Sequence, residues 1–262
     1  GVAAWLHQQP PELGRVVLLF QPAEEVGEGA RAVLDDPRFS LIEPDFAFAL
    51  HNLPGFALGE VITRPGTFAS ASRGLIARFR GESSHAGHPE RGRSPALAIA
   101  QAIEGLSSLP TTASGYHDPA IVTVVGATLG GPAFGTTPGK GELYSTLRAD
   151  RDEILGNLWS RAETMLAGLA SIHGLEIELA ATEDFPATVN DSGLVAIVER
   201  AAEDMGAPIR RVEQSFPWSE DFGDFTKRGQ GCLFGLGAGL DHAELHSSGY
   251  DFPDEIISIG VR

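Results

Sequence analysis

The middle of the chain alternates between strand and helix patterns in the order β-α-β-β-α-β, and no other feature constrains the fold as much. Two amphipathic helix patterns are present, one after the capping pair Ser94-Pro95 and one over residues 152–172. This order is typical of a ferredoxin-like arrangement, in which two helices cover one face of an antiparallel sheet. The strand patterns of this region cover residues 74–80, 120–128, 141–149 and 175–180.

The segments on either side have the pattern of an α/β domain. The apolar run Val16–Phe20 predicts a strand buried on both faces, as in a parallel sheet. A short helix over 27–35 and a second strand at Phe46–Leu50 complete a predicted βαβ unit. Beyond the middle region, Asp191 can cap a helix, and residues 231–236 predict another buried strand.

The sequence therefore predicts an α/β domain that an α+β ferredoxin-like module interrupts. We place the first part of the α/β domain at residues 1–64, the inserted module at 65–183 and the second part at 184–262. The first residues carry an apolar pattern at helical spacing and no initiator Met. We therefore expect the sequence to begin inside a helix and to be truncated at its N-terminus.

Composition excludes several classes of function. Lys and Arg total 19 against 35 Asp and Glu, which gives a net charge of −16 and argues against nucleic-acid binding. No run of 18 apolar residues is present, so we predict no membrane span. The single cysteine, Cys232, cannot form an internal disulfide and indicates a reducing compartment, so we predict a cytoplasmic protein. Cys232 lies in a predicted buried strand and is interpreted as a core residue.

Acidic and imidazole side chains follow the predicted strands of the α/β domain. Glu24 and Glu25 follow the first strand, His51 follows the second, and His242 and His246 follow a later one. Function in open α/β sheets collects at the carboxyl ends of strands. A carboxylate and two imidazoles there would suit a divalent metal of the zinc type, and a second carboxylate could transfer protons. Taken singly, such residues are more often solvated glutamates or core and capping histidines.

Five short motifs resemble one metallopeptidase family when they are taken together and in order. The family is that of the aminoacylases and carboxypeptidases, and the nearest branch contains hippurate hydrolases, N-acyl-amino-acid amidohydrolases and auxin-conjugate amidohydrolases. The resemblance covers essentially the whole chain. It implies a mostly parallel-sheet metallopeptidase catalytic domain interrupted by a ferredoxin-like lid that commonly forms a dimer contact. The motifs are Phe20-Gln21-Pro22-Ala23-Glu24-Glu25, His51-Asn52-Leu53-Pro54-Gly55, Ser84-His85-Ala86-Gly87-His88-Pro89, Ser219-Glu220-Asp221-Phe222, and Leu245-His246 with Asp251-Phe252-Pro253-Asp254-Glu255.

The resemblance implies roles for individual residues. Glu24 resembles the general base of the family, and Glu25, His51 and His246 resemble three of its metal ligands. His85, in the lid, resembles the histidine that helps to polarise the scissile carbonyl, often in the active site of the dimer partner. Without the resemblance, His85 would be interpreted as an ordinary surface histidine.

A recurrent lid arginine of the family matches Arg148, which we interpret as either a substrate-binding or a structural residue. The intact family site contains two divalent ions, which can be Zn, Mn, Co or Ni. Two further ligands of the family come from a Cys-Gly-His segment that these 262 residues do not contain. Cys232 cannot replace that segment, so we expect an incomplete site and an inactive chain when it is taken alone.

A second departure from the family lies at Gly135, where relatives often have an asparagine. If that asparagine helps to hold the substrate carboxylate, this protein prefers a different acyl or amino-acid partner.

The function predicted from the sequence is a metal-dependent amidohydrolase that cleaves N-acyl amino acids or similar small conjugates. Metal-activated water would attack the amide, with Glu24 as general base. One alternative is a non-catalytic dimerising or ligand-binding homologue. Another is a carboxypeptidase or dipeptidase of the same family, although His51 favours the amidohydrolase branch. The predicted partners are a small N-acyl amino acid or peptide-like substrate and a second copy of the chain, bound through the lid.

Overall fold

The computed structural model describes residues 1–113 and 119–261, which form two compact units. Unit 1 contains Gly1–Ala69, Thr188–Phe216 and Glu220–Arg262, and unit 2 contains Ser70–Ala187 and Pro217–Ser219. Within the two described ranges, no helix is both long and apolar enough to cross a membrane.

Helices and strands alternate along much of the chain. In the described residues the α-helices are α1 (Val2–Gln8), α2 (Gly29–Asp35), α3 (Ala96–Ala113), α4 (Asp152–Ile172), α5 (Ser192–Asp204), α6 (Gly223–Arg228) and α7 (Ile257–Gly260). The strands there are β1 (Phe46–Pro54), β2 (Val61–Thr63), β3 (Gly66–Ala69), β4 (Ala71–Arg80), β5 (Ala120–Leu129), β6 (Lys140–Ala149), β7 (Glu176–Phe185), β8 (Thr188–Asn190), β9 (Ile209–Arg211) and β10 (Gln230–Gly239). Short 3₁₀ turns cover Glu24–Val26, Pro37–Leu41, Pro89–Arg91 and Asp254–Ile256.

Unit 1 is built on a mixed four-stranded sheet with the order β1-β10-β2-β9. β1 and β10 run parallel, with Phe46 opposite Gln230 and His51 opposite Gly235. β2 is antiparallel to β10 and parallel to β9. β10 is buried along most of its length, as expected of a strand with neighbours on both sides. The parallel pair therefore brings the carboxyl ends of β1 and β10 to the same edge of the sheet.

The helix predicted after Asp191 is α5, and local chemistry explains where it begins. The Asp191 carboxylate accepts hydrogen bonds from the backbone N–H groups of Gly193 and Leu194, which no earlier turn could satisfy. The apolar side of the helix, including Leu194 and Val198, packs into a core with Leu236 of β10. Helix α5 thus covers one face of the sheet.

The strand predicted at Val16–Phe20 does not form. These residues are not assigned to any strand, and their side chains are exposed, with Phe20 at 88%. An apolar run becomes a strand only when a neighbouring strand pairs with its backbone and its faces are covered. Neither condition is met among the described residues. The predicted βαβ unit is therefore wrong at its first strand. The parallel partner of β1 is β10, which lies far away in the sequence.

Unit 2 contains the β-α-β-β-α-β order predicted from the sequence, as β4-α3-β5-β6-α4-β7. Its sheet is antiparallel throughout and has the order β5-β6-β4-β7. Along β6 the burial alternates with a period of two, so that Leu143 and Leu147 face the core. Leu106 of α3 and Leu158 and Leu166 of α4 are fully buried in the same core. The two helices thus bury the apolar face of the sheet.

Candidate functional site

Two of the predicted site histidines lie on or after the parallel strands of unit 1. His51 was predicted to follow its strand, but β1 extends to Pro54, so His51 lies within the strand. His246 follows β10 in a turn and has a positive φ of 61°. This backbone conformation costs energy for a residue with a side chain and is enriched at functional sites.

The two adjacent glutamates lie on a tight turn before α2. Ala23 has φ 58° and Gly27 has φ 71°, both in the left-handed region, and Glu24–Val26 forms a 3₁₀ turn between them. Glycine adopts this conformation freely, whereas Ala23 is strained. Glu24 is half-buried and Glu25 is exposed. The turn thus directs two neighbouring carboxylates into different environments.

Glu220 lies at the centre of the site, although its motif alone predicts no role for it. Its Oε1 atom lies 3.3 Å from Nε2 of His51, and its carboxyl group is hydrogen-bonded to that of Glu24. Burial raises the pKa of Glu220 to about 9, and the neighbouring carboxylates of Glu24, Asp221 and Glu25 add to the shift. Its motif was recognised in the sequence, but only the fold brings Glu220 against Glu24 and His51.

Two of the three predicted metal ligands come together. Nε2 of His246 lies 4.0 Å from Oε2 of Glu25, and both side chains are more than three-quarters exposed. His51 contacts Glu220 instead. Over the described ranges, no three His, Cys, Asp or Glu side chains form a group that could hold a metal ion.

The chemistry of these donors nevertheless fits a divalent cation. Imidazole nitrogens and carboxylate oxygens are the ligands of zinc and related ions. Burial and the neighbouring carboxylates of Glu24, Asp221 and Glu25 all raise the pKa of Glu220, so negative charge is unfavourable at this place. A divalent cation would supply a compensating positive charge.

The predicted lid histidine, His85, lies in an exposed loop of unit 2. Residues His85 and Thr136 form an isolated antiparallel bridge. Nδ1 of His85 accepts a hydrogen bond from the backbone N–H of Gly87, at 3.0 Å. A neutral ring therefore carries its proton on Nε2, and that atom remains able to donate to a ligand.

Arg148, on β6 of unit 2, makes contacts of a structural kind. Its guanidinium donates to the carbonyl of Pro217 and to Oγ of Ser219, both at 3.1 Å. Burial lowers the pKa of Arg148, an effect that the nearby charge of Glu183 opposes. These bonds hold residues 217–219 against the sheet.

Gly135 and Cys232 have opposite surroundings. A Cβ atom added at Gly135 would meet nothing within 4 Å, so the loop has room for a side chain there. Cys232, on β10 of unit 1, is 0% exposed. Burial raises the pKa of its thiol to about 12, which agrees with its interpretation as a core residue.

Comparison with known proteins identifies similar chains. The model of the peptidase family M20/M25/M40 matches residues 1–262. The chain is 24% identical over 255 residues to N-acetyldiaminopimelate deacetylase from Listeria monocytogenes, covering 96% of this chain and 67% of that protein. It is 30% identical over 271 residues to IAA-amino acid hydrolase ILR1-like 4 from Arabidopsis thaliana, covering 100% of this chain and 61% of that protein.

The fold also matches solved structures. One is the YXEP protein of Bacillus subtilis, described as a dinuclear metal-binding peptidase of the M20 family, with a TM-score of 0.79 and 24% identity. The match covers 99% of this chain and 66% of that one. The chain therefore spans about two thirds of the length of these relatives.

Proposed function

Because this chain belongs to the peptidase family M20/M25/M40, as its motifs predicted, we propose that it acts as a metal-dependent amidohydrolase. The substrates would be N-acyl amino acids or similar small conjugates, which is also the chemistry that the names of its relatives describe. The observation that carries the proposal is the contact of Glu24 and His51 with the largely buried Glu220. Crowded carboxylates with perturbed pKa values are more frequent at functional sites than elsewhere.

Divalent ions would be held by Glu25, His51 and His246, which supply the donor types that such ions prefer. When bound, the ions would polarise the amide carbonyl and lower the pKa of a water molecule. Zn, Mn, Co and Ni are the candidates. The family resemblance implies two further ligands that these 262 residues do not supply.

Glu24 is the proposed general base. It lies next to the predicted ligand Glu25, and its carboxylate is half-buried and shares a hydrogen bond with Glu220. A carboxylate in this position can take a proton from water and deliver it to the leaving amine. Glu220 would hold the Glu24 side chain in place during both transfers.

His85 is the proposed donor to the oxyanion of the tetrahedral intermediate. Its Nδ1 atom is engaged by Gly87, so Nε2 carries the proton that such a donor requires. Arg148 is proposed as a substrate-side residue that also holds residues 217–219 in place.

A homodimer formed through unit 2 is the proposed assembly. β5 is an edge strand without a single charged residue, and it exposes Ile121, Val125 and Leu129. An uncharged apolar edge tends to pair with another strand. The opposite edge, β7, carries acidic residues, which discourage such pairing. We further propose that the protein acts in the cytoplasm, because its lone cysteine suits a reducing compartment.

The test is the hydrolysis of N-acyl amino acids by protein produced from the complete gene, with Zn, Mn, Co or Ni added. Glu24→Gln should lower kcat by about 10²- to 10⁴-fold. Glu28→Gln, an exposed glutamate four residues later, serves as the matched control and should retain wild-type turnover. Undiminished turnover by Glu24→Gln would refute the role of Glu24. A wild-type protein that binds metal without hydrolysing any substrate would favour the non-catalytic homologue.

A carboxypeptidase or dipeptidase of the same family is the second candidate. A panel of N-acyl amino acids and dipeptides separates it from an amidohydrolase. Faster hydrolysis of the dipeptides would replace the proposed substrate class.

A further inference from the structure

Asp221 joins two segments that are about 200 residues apart in the sequence. Nε2 of Gln21 lies 2.8 Å from both carboxylate oxygens of Asp221. The backbone N–H of Ala30 donates to Oδ2 of Asp221, also at 2.8 Å. The N–H of Gly29 donates to the carbonyl of Ala23, at 3.2 Å, and also interacts with the Asp221 carboxylate. With 2% of its surface exposed, Asp221 is a buried acid whose hydrogen-bond partners are a side chain and the backbone.

These donors lie at the two ends of the turn that carries Glu24 and Glu25. Gln21 precedes the turn, and Gly29 and Ala30 follow it. One carboxylate thus closes the loop from both sides. The packing is tight, because a Cβ atom added at Gly29 would lie 1.9 Å from the carbonyl oxygen of Pro22.

The turn requires such support. Ala23, directly before Glu24, is held at φ 58°, a conformation that surrounding contacts must maintain. Asp221 is also the chain neighbour of Glu220, whose carboxyl group contacts Glu24 and His51. Holding Asp221 therefore places the turn and Glu220 relative to each other.

We infer that Asp221, together with Gln21, is a positioning residue that holds the Glu24–Glu25 turn in the geometry needed for metal binding. The inference rests on the proposed function for its link to metal. Asp221 touches neither substrate nor metal in this role and acts through the turn. Residues that orient metal ligands in this way typically change metal affinity by about 10- to 100-fold.

Replacing an acid that has only a structural role would lower stability and change nothing else. Glu199 provides the matched control. It is another buried carboxylate of unit 1, and it binds Oγ1 of Thr63 and the guanidinium of Arg211, away from the turn. Three variants are therefore compared with the wild type: Asp221→Asn, Gln21→Ala and Glu199→Gln. Gln21 is only half-buried, so Gln21→Ala tests the inference even if Asp221→Asn fails to fold.

Two measurements are made on the complete protein. Hydrogen exchange followed by mass spectrometry reports the protection of the backbone amides of Gly29 and Ala30 directly after the turn, which we call the turn amides. Titration with Co²⁺, followed by calorimetry and by visible absorption, reports the affinity and the ligand geometry. In Asp221→Asn the turn amides should exchange roughly tenfold faster than in the wild type. This variant should bind Co²⁺ about 10- to 100-fold more weakly, with an altered visible absorption spectrum. Gln21→Ala should change both in the same direction by less.

Glu199→Gln should leave both the turn amides and the Co²⁺ spectrum at wild-type values while lowering the thermal midpoint. The inference is overturned if Asp221→Asn and Gln21→Ala leave the turn amides or the Co²⁺ affinity unchanged, or if Glu199→Gln alters them equally. A wild-type protein that neither binds Co²⁺ nor hydrolyses N-acyl amino acids would refute the proposed function instead. In that case, faster amide exchange in Asp221→Asn and Gln21→Ala would still show that Asp221 and Gln21 hold the turn.

Discussion

Two glutamates of unit 1, Glu199 and Glu220, are withdrawn from solvent to a similar extent but have opposite surroundings. Their side chains are 10% and 14% exposed. Hydrogen bonds from Arg211 lower the pKa of Glu199, whereas burial and neighbouring carboxylates raise that of Glu220. A buried acid paired with a base stabilises the fold. A buried acid crowded by other acids is more frequent at functional sites, where its unfavourable surroundings serve binding or catalysis.

The largest effect is expected from Glu220→Gln. The amide keeps the shape of the side chain, so the variant should unfold at nearly the same temperature as the wild type. Glu24 and His51 lose the carboxyl group that they contact, and kcat/KM should fall by about 10- to 100-fold. Steady-state kinetics with an N-acyl amino acid, alongside calorimetric unfolding, provide the measurement. Full activity in this variant would remove Glu220 from the site.

For Glu199→Gln we expect a loss of stability without a loss of activity. Loss of the charged acceptor for Arg211 should lower the free energy of unfolding by about 1–3 kcal/mol. Activity and metal affinity should be unchanged, because Glu199 contacts none of the proposed site residues. Urea unfolding and kinetics at pH 7 check both statements. A loss of activity without a loss of stability would reverse the contrast between the two glutamates.

Acid should weaken the contribution of Glu199 in a defined direction. Its pKa in the folded state lies below the ordinary value of 4.5, so the Arg211 pair stabilises the fold fully above that pH. The stabilisation is lost as the pH falls through the lowered pKa. The difference in unfolding free energy between wild type and Glu199→Gln should therefore narrow from pH 5 to pH 3. A difference that widened over this range would contradict the assignment.

The smallest effect concerns Cys232, a third buried titratable group, which has neither a basic partner nor a role in the site. Its pKa of about 12 keeps the thiol protonated and unreactive near neutral pH. A thiol reagent at pH 8 should label the native protein very slowly and the urea-unfolded protein rapidly. Fast labelling of the native protein would show that β10 opens readily. Cys232→Ser should leave activity at the wild-type level.

Local patterns were sufficient to predict the order of helices and strands in unit 2. The predicted β-α-β-β-α-β order is confirmed, and helix α4 has the predicted bounds, Asp152–Ile172. The capping serine before α3 and the capping aspartate before α5 also act as predicted. These features depend on side chains and backbone groups that are close in sequence, so one segment contains the information that each of them requires.

Unit 1 was harder to predict, because pairing between distant segments decides its structure. Val16–Phe20 has the composition of a buried strand, but no described strand pairs with it. The strand containing His51 is longer than its pattern indicated, because β10 pairs with it as far as Pro54. Strand formation depends on a partner strand, and the local sequence of a strand does not specify which strand pairs with it.

The sequence by itself determined the family, through motifs that keep their order and spacing, and the order of elements in unit 2. It also named Glu24, Glu25, His51, His246, His85 and Arg148 as candidates. Only the tertiary structure decided that Glu220 meets Glu24 and His51, and that Asp221 closes the turn through Gln21. The physical reason is that pKa shifts and buried hydrogen bonds depend on neighbours in space, and these neighbours are about 170 to 200 residues apart along the chain.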